Sequence, residues 1–172
     1  MPALRFSLAI ITALCAAATC SATEPQSLSA QIGEIAFVSD DDSILLVPVP
    51  TGGTFTLTAS TKGASAYPPP KTRVDRLSIS CTLYTPGQAK IYSNADFSPN
   101  HCRVSFAKGT PPMGGEPEAE YTLDKGSADN HFEISAASAK TIEGSFQFRL
   151  KDAHGASLMI SNGHFKAEDR QL

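Results

Sequence analysis

The chain has 172 residues, 14 basic against 17 acidic side chains, a formal charge of −3, no tryptophan and four cysteines. This mild acidic excess, with no basic stripe, argues against a nucleic-acid or anionic-membrane surface. The length suits one domain with its own core, and no repeat or second composition regime divides it.

The first segment reads "MPALRFSLAIITALCAAATCSATEPQ". Arg5 precedes an uncharged run, Phe6 to Thr23, that fades into small residues from Ala16 to Ala22. This is the form of a secretory signal peptide, with residues 1–22 removed and residues 23–172 forming the exported domain. A cut after Ala18 is the alternative, and the run also approaches the lower limit of a membrane-spanning helix. A further reading makes Cys20 the lipidated residue of a bacterial lipoprotein, although Thr19 stands where Gly, Ala or Ser is usual. The expected location is periplasmic or secreted, and no later segment is apolar enough to span a membrane.

Beyond Ala22 the chain consists of short alternating runs punctuated by Gly, Pro, Asn and Asp, which marks an antiparallel β protein. Strands are expected over 32–38, 44–49, 54–60, 76–84, 90–93, 102–107, 119–124, 131–136, 144–151 and 157–161, with a last short run over 164–167. So many strands in this length predict an all-β, single-domain antiparallel β-sandwich, with a closed β-barrel as the alternative.

Between the first two strands, "SDDDS" at 39–43 lacks the alternating ligands, central glycine and distal glutamate of a helical calcium loop. It reads as a solvated turn, and "DKGSADN" at 124–130 reads the same way. In the third strand Phe55, Leu57 and Ala59 share one face and Thr54, Thr56 and Thr58 the other, so one face is buried and one wet. A long loop, "STKGASAYPPPKTRVD" at 60–75, carries Tyr67, Pro68, Pro69 and Pro70; its prolines cannot donate into a central ladder.

"RLSISCTLY" at 76–84 places Leu77, Ile79, Cys81 and Leu83 on one parity, and Cys102 shares parity with Val104 and Phe106. Two inward cysteines in an exported chain predict one structural disulfide, Cys81 to Cys102, across the core or between neighbouring strands. A nucleophilic cysteine needs an exposed setting and a base. His101 adjoins Cys102, but adjacent strand residues point to opposite faces.

A second loop, "KGTPPMGGEPE" at 108–118, carries Met113, Gly114 and Gly115. Further on, Phe132, Ile134 and Ala136 alternate with polar partners, as do Phe146, Phe148 and Leu150. The Ala-rich "SAASAKTIEG" at 135–144 allows one turn or short helix at most. "DAHG" at 152–155 is expected to link two strands, and "NG" at 162–163 to close the next hairpin as a primed turn, with Gly155 and Gly163 supplying positive φ.

His101, His131, His154 and His164 lack the close spacing of a zinc motif. "GASLM" at 155–159 lacks the second glycine of a nucleophile elbow, and "TGG" and "MGGE" lack the lysine of a phosphate loop. No catalytic residue, metal site or cofactor is therefore expected. Loops on a rigid scaffold are where recognition residues commonly sit, so Tyr67, Pro68, Pro69, Pro70, Met113, Gly114 and Gly115 are the candidate binding residues.

The C-terminal third, "IEGSFQFRLKDAHGASLMISNGHFKAE", with "YTL" near 121 and "RLSIS" near 76, resembles the ending of small exported bacterial β-rich domains of uncharacterised function. The pattern is an aromatic strand G-x-F-x-F, a Gly-bearing turn and a final N-G-x-F, here Gly144, Phe146, Phe148, Gly155, Asn162, Gly163 and Phe165. The resemblance implies an exported all-β fold and supplies no site. The expected function is a non-enzymatic binding module contacting a protein or cell-envelope ligand, one version being an inhibitor or immunity protein of an envelope hydrolase. The alternative is a barrel that carries a small apolar ligand such as a lipid.

Overall fold

Alternation of apolar and polar side chains becomes eleven antiparallel strands in the computed structural model, which describes residues 25–97 and 99–170. The expected signal peptide, with Cys15 and Cys20, lies outside the described residues. The strands are β1 (Ser27–Ile32), β2 (Ile35–Ser39), β3 (Ile44–Val49), β4 (Thr54–Ser60), β5 (Val74–Cys81), β6 (Lys90–Tyr92), β7 (Cys102–Thr110), β8 (Ala119–Leu123), β9 (His131–Ala137), β10 (Thr141–Lys151) and β11 (Ser157–Glu168). One helical turn, α1 (Asn94–Phe97), separates β6 from β7. Among the described residues no helix is long and apolar enough to cross a membrane.

All strands belong to one sheet, in the order β2-β1-β11-β10-β8-β7-β5-β4-β3, with β9 beside β10 and β6 beside β9. Its two terminal strands, β2 and β3, are consecutive in the chain and joined by a 3-10 turn, Asp41–Ser43. Such a link requires the sheet to curl until its edges approach. The architecture is therefore the expected all-β antiparallel one, with one disulfide among the described residues, and the sheet is continuous and nearly closed, as in the barrel alternative.

The seam between the edges is tied by polar bonds. Gln26 is buried, its amide nitrogen donating to the carbonyls of Asp41 (3.1 Å) and Ile44 (3.3 Å) while its oxygen accepts from the Glu168 N–H (2.8 Å). The Lys62 N–H donates to Val38 across the same gap. Arg170 grips Asp41 through two nitrogens, at 2.8 and 2.9 Å. The Arg170 guanidinium, with the Gln26 backbone N–H, holds the Asp41 carboxyl below the usual carboxylate range. The acidic run read as a solvated turn is thus partly engaged in closing the sheet. Replacing Gln26 by Ala is expected to cost about 2 kcal/mol, because buried partners are left unmatched. Hydrogen exchange should show the Ile44 and Glu168 regions opening first; unchanged protection there would refute the role.

Inside the curl, side chains from opposite walls meet. Phe132 of β9 stacks on Phe165 (5.2 Å between centroids), Phe55 (5.8 Å) and Phe148 (6.4 Å), and Tyr92 leans on it at 5.8 Å. Phe37 of β2 meets Phe106 of β7 edge to face. The Tyr92 hydroxyl donates to the Thr82 carbonyl at 3.0 Å, and burial pushes its phenol pKa up. Rings therefore fill the interior. The small apolar recess between the β1–β2 hairpin and β7–β8, lined by Ile32, Phe37, Phe106 and Leu158 among others, holds only about 50 Å³.

Cys81 and Cys102 are both buried and pair directly across β5 and β7, so the disulfide joins neighbouring strands. The face shared by Leu77, Ile79 and Cys81 ends there. Leu83, expected on the same face, takes a left-handed conformation (φ 59°) and is 52% exposed, while Tyr84 turns inward with 5% exposed. The strand has already stopped, so its two-residue period no longer applies.

Three further expectations need correction. Ser27–Ile32 is a strand the sequence hid, because Leu28 and Ala30 are its only apolar residues before Ile32. The run 32–38 is broken by a turn at Gly33, whose φ of 56° no β-branched residue adopts readily. As expected, the Ala-rich 135–144 segment holds no more than one tight turn, between the end of β9 and the start of β10. Finally, "NG" at 162–163 closes no hairpin: β11 runs through it, with Asn162 rather than Gly163 at positive φ, beside a register shift. "DAHG" does turn the chain, with the Asp152 carboxylate accepting from His154 and Ala156 N–H and Gly155 at φ 84°.

Close packing explains the glycine at 163. In the β10–β11 register Gly163 lies opposite Phe146, and Gly144 opposite Phe165. A Cβ at Gly163 would stand 2.4 Å from the Phe146 ring; one at Gly144 would stand 2.9 Å from the Phe165 ring and 1.8 Å from the Glu133 carbonyl oxygen. Two G-x-F units, read in opposite directions, thus place each ring over the other strand's glycine.

Candidate functional site

The outer face of β3, β4 and β5 carries the side chains of opposite parity to the core: Leu45 on β3, Thr58 and Ser60 on β4, Arg76 and Ser78 on β5. At one end of this face both long loops rise. The first connects β4 to β5, the second β7 to β8. Together with the face they border an open groove of about 730 Å³, in which Ala64 and Ser65 come from the first loop and Pro111, Pro112, Gly114 and Gly115 from the second.

The loops are held to each other and to the seam at their bases. Arg73 donates to the Gly109 carbonyl at 2.7 Å and lies 3.4 Å from the Glu118 carboxylate. The Asp75 carboxylate accepts from the Gly109 N–H at 2.7 Å, and the Glu118 N–H returns to the Lys108 carbonyl. On the other side Gly63 donates to Asp40 and Ser65 meets Ser43 at 3.1 Å, tying the first loop to the β2–β3 connection. Gly109, at φ 62°, leaves room for the Glu118 side chain that lies against it.

The tips are the opposite. Tyr67 is 95% exposed and Met113 86%, with Pro68 and Pro69 exposed and Pro70 partly so. A turn closed by the Gly114 N–H onto Pro111, with Gly114 and Gly115 at φ 88° and 130°, projects Met113 outward. Of the candidate residues, Gly114 and Gly115 line the groove, whereas Tyr67, Pro68, Pro69, Pro70 and Met113 stand on the loops outside it. Arg73, Leu45, Thr58 and Arg76 were not singled out in the sequence. For Leu45, Thr58 and Arg76 the only signal was parity, since Leu45 and Thr58 alternate with Leu46 and Leu57 and Arg76 precedes Leu77; Arg73, in the loop before β5, carried none.

The histidines are dispersed. His101 meets the Thr82 hydroxyl at 3.1 Å through Nδ1, His131 lies 3.5 Å from Glu133, and His154 and His164 are exposed. Among the described residues no group of three or more His, Cys, Asp or Glu side chains is placed to hold a metal ion. The "DKGSADN" segment is structural: Asp124 pairs with Lys151 at 2.8 Å, Asp129 with Arg149 at 2.7 Å, and buried Asn130 bridges the Asp124 carbonyl and the Arg149 N–H. Comparison of the chain with family models, with curated proteins and with solved structures gives no match.

Proposed function

We propose that this protein is an exported, non-enzymatic binding module that recognises a protein or cell-envelope ligand through the groove and the two loop tips beside it. One observation carries the reading: loops far apart in sequence are laced at their bases by Arg73 and present the two most exposed large apolar side chains among the described residues, Tyr67 and Met113. Anchored bases with apolar tips are what a recognition surface needs, because less ordering entropy is lost on binding. An inhibitor or immunity protein of an envelope hydrolase is one form of this reading. A secretory segment at 1–22 and a disulfide suit an oxidising compartment.

The ring-filled interior gives the carrier reading less support. Ligand pockets usually offer about 300 Å³ or more, and the apolar recess holds about 50 Å³. The test is affinity capture from envelope extracts with the mature protein and with a Tyr67→Ser, Met113→Ser double variant. A partner retained by the first and weakened about tenfold or more in the second is expected. Equal retention by both, or no retained partner, would overturn the reading.

A further inference from the structure

Further along the same outer face, beyond the loops, a second groove of about 430 Å³ crosses β5, β7 and β8. Its floor follows from register. Ser78 pairs with Ser105 and Ser105 with Thr122, so three hydroxyls form a row across three strands, and Ser80 pairs with Arg103 in the next row. Side chains of such facing pairs stand about 5 Å apart. Thr56 donates to the Ser80 oxygen at 3.1 Å, which leaves the Ser80 proton free to point into the groove.

Two cations overlook this floor. Lys125 donates to the Asn100 side-chain oxygen, and Asn100 is held in a left-handed conformation (φ 67°) by its N–H bond to Phe97. Arg103 makes no ion pair among the described residues. No carboxylate lines the groove, and the nearby Asp124 and Asp129 are occupied by Lys151 and Arg149. In a chain with net charge −3, a groove with two cations, four hydroxyl donors and no acid is a local inversion of sign. Arg offers a planar fork that matches a phosphate edge, and Lys a point charge.

We infer that this groove binds a phosphomonoester carried on a polyhydroxylated body, such as a sugar phosphate, with Arg103 and Lys125 taking the phosphoryl oxygens and the Ser78–Ser105–Thr122 row meeting the ligand's hydroxyls. The volume fits a ligand of that size better than a bare oxyanion, since small-molecule sites begin near about 300 Å³. Both cations are exposed to solvent, so binding is modest and weakens with salt.

Calorimetric titration at low ionic strength tests this with three probes: glucose 6-phosphate, inorganic phosphate and glucose. Glucose 6-phosphate is expected to saturate with a Kd of about 0.1–1 mM, inorganic phosphate to bind about tenfold more weakly, and glucose not to bind measurably. Arg103→Gln and Lys125→Gln should each weaken glucose 6-phosphate about tenfold with unchanged unfolding midpoints. Ser105→Ala should weaken glucose 6-phosphate while leaving inorganic phosphate unaffected. No saturation up to about 10 mM, or wild-type affinity in both charge variants, overturns the site. Equal affinity for inorganic phosphate and glucose 6-phosphate overturns the role of the hydroxyl row. The Tyr67→Ser, Met113→Ser variant should bind the sugar phosphate as the wild type does, which separates this site from the loop surface.

Discussion

Phe132→Ala is expected to destabilise the protein by about 4 kcal/mol, because it removes a fully buried ring from the middle of a stack. Phe132 touches Phe55 on one wall and Phe148 and Phe165 on the other, and Tyr92 besides, so no single neighbour can collapse into the space. In urea unfolding the midpoint should fall with the slope unchanged, and the thermal midpoint should drop by roughly 12 °C for a chain of this size. A loss below about 1 kcal/mol would mean that the rings do not form one packed unit. The variant has a second use. A dry, ring-lined cavity takes up small apolar guests, so benzene should stabilise Phe132→Ala and leave the wild type unmoved; wild-type stabilisation by such guests would revive the carrier reading.

Loss of the disulfide should be of similar size. Cys81 and Cys102 are 21 residues apart, and opening a loop of that length costs about 3 kcal/mol in the chain-entropy model. In Cys81→Ser a hydroxyl is also left at a buried, apolar position, which adds about 1 kcal/mol or more. The Cys81→Ala, Cys102→Ala double variant removes the second term and so separates it from the first. Because Cys81 faces inward while both grooves lie on the outer face, ligand binding by the folded fraction should be unchanged. In the native protein no thiol at 81 or 102 should be alkylated unless denaturant and reductant are both present. A readily alkylated Cys81 in folded protein would contradict the pairing.

Fold class was legible because a half-buried strand writes itself as a two-residue period. β3 and β4 begin and end where Ile44–Val49 and Thr54–Ser60 suggest, and the period also placed both cysteines inward. It failed where the period is carried by weak residues or interrupted. β1 alternates Ser and Gln with Leu28, Ala30 and Ile32, too little apolar contrast to stand out. At Asn162–Gly163 a local rule for turns lost to a long-range one: the strand must continue so that Phe146 can lie over Gly163. The candidate loops were visible from their prolines and glycines. Their convergence was not, since it depends on Arg73 reaching a carbonyl 36 residues along the chain. The second groove was equally hidden, because Ser78, Ser105 and Thr122 are ordinary outward-facing strand residues until the register aligns them.

The crossed glycine–phenylalanine pairs of β10 and β11 also bear on how this sequence can change over time. Gly144 with Phe165, and Gly163 with Phe146, are each a small and a large half of one filled volume. Enlarging a glycine alone drives a methyl into a ring, and shrinking a ring alone opens a void, so either single step is penalised. Trading volume between Gly163 and Phe146 together is penalised less, which makes the effects of that paired substitution strongly non-additive, whereas a Cβ at Gly144 also meets the Glu133 carbonyl oxygen, which no change at Phe165 relieves. Drift at Gly163 and Phe146 should therefore be inherited as a couple, while a lineage that keeps the pairing of β9 with β10 should keep glycine at 144.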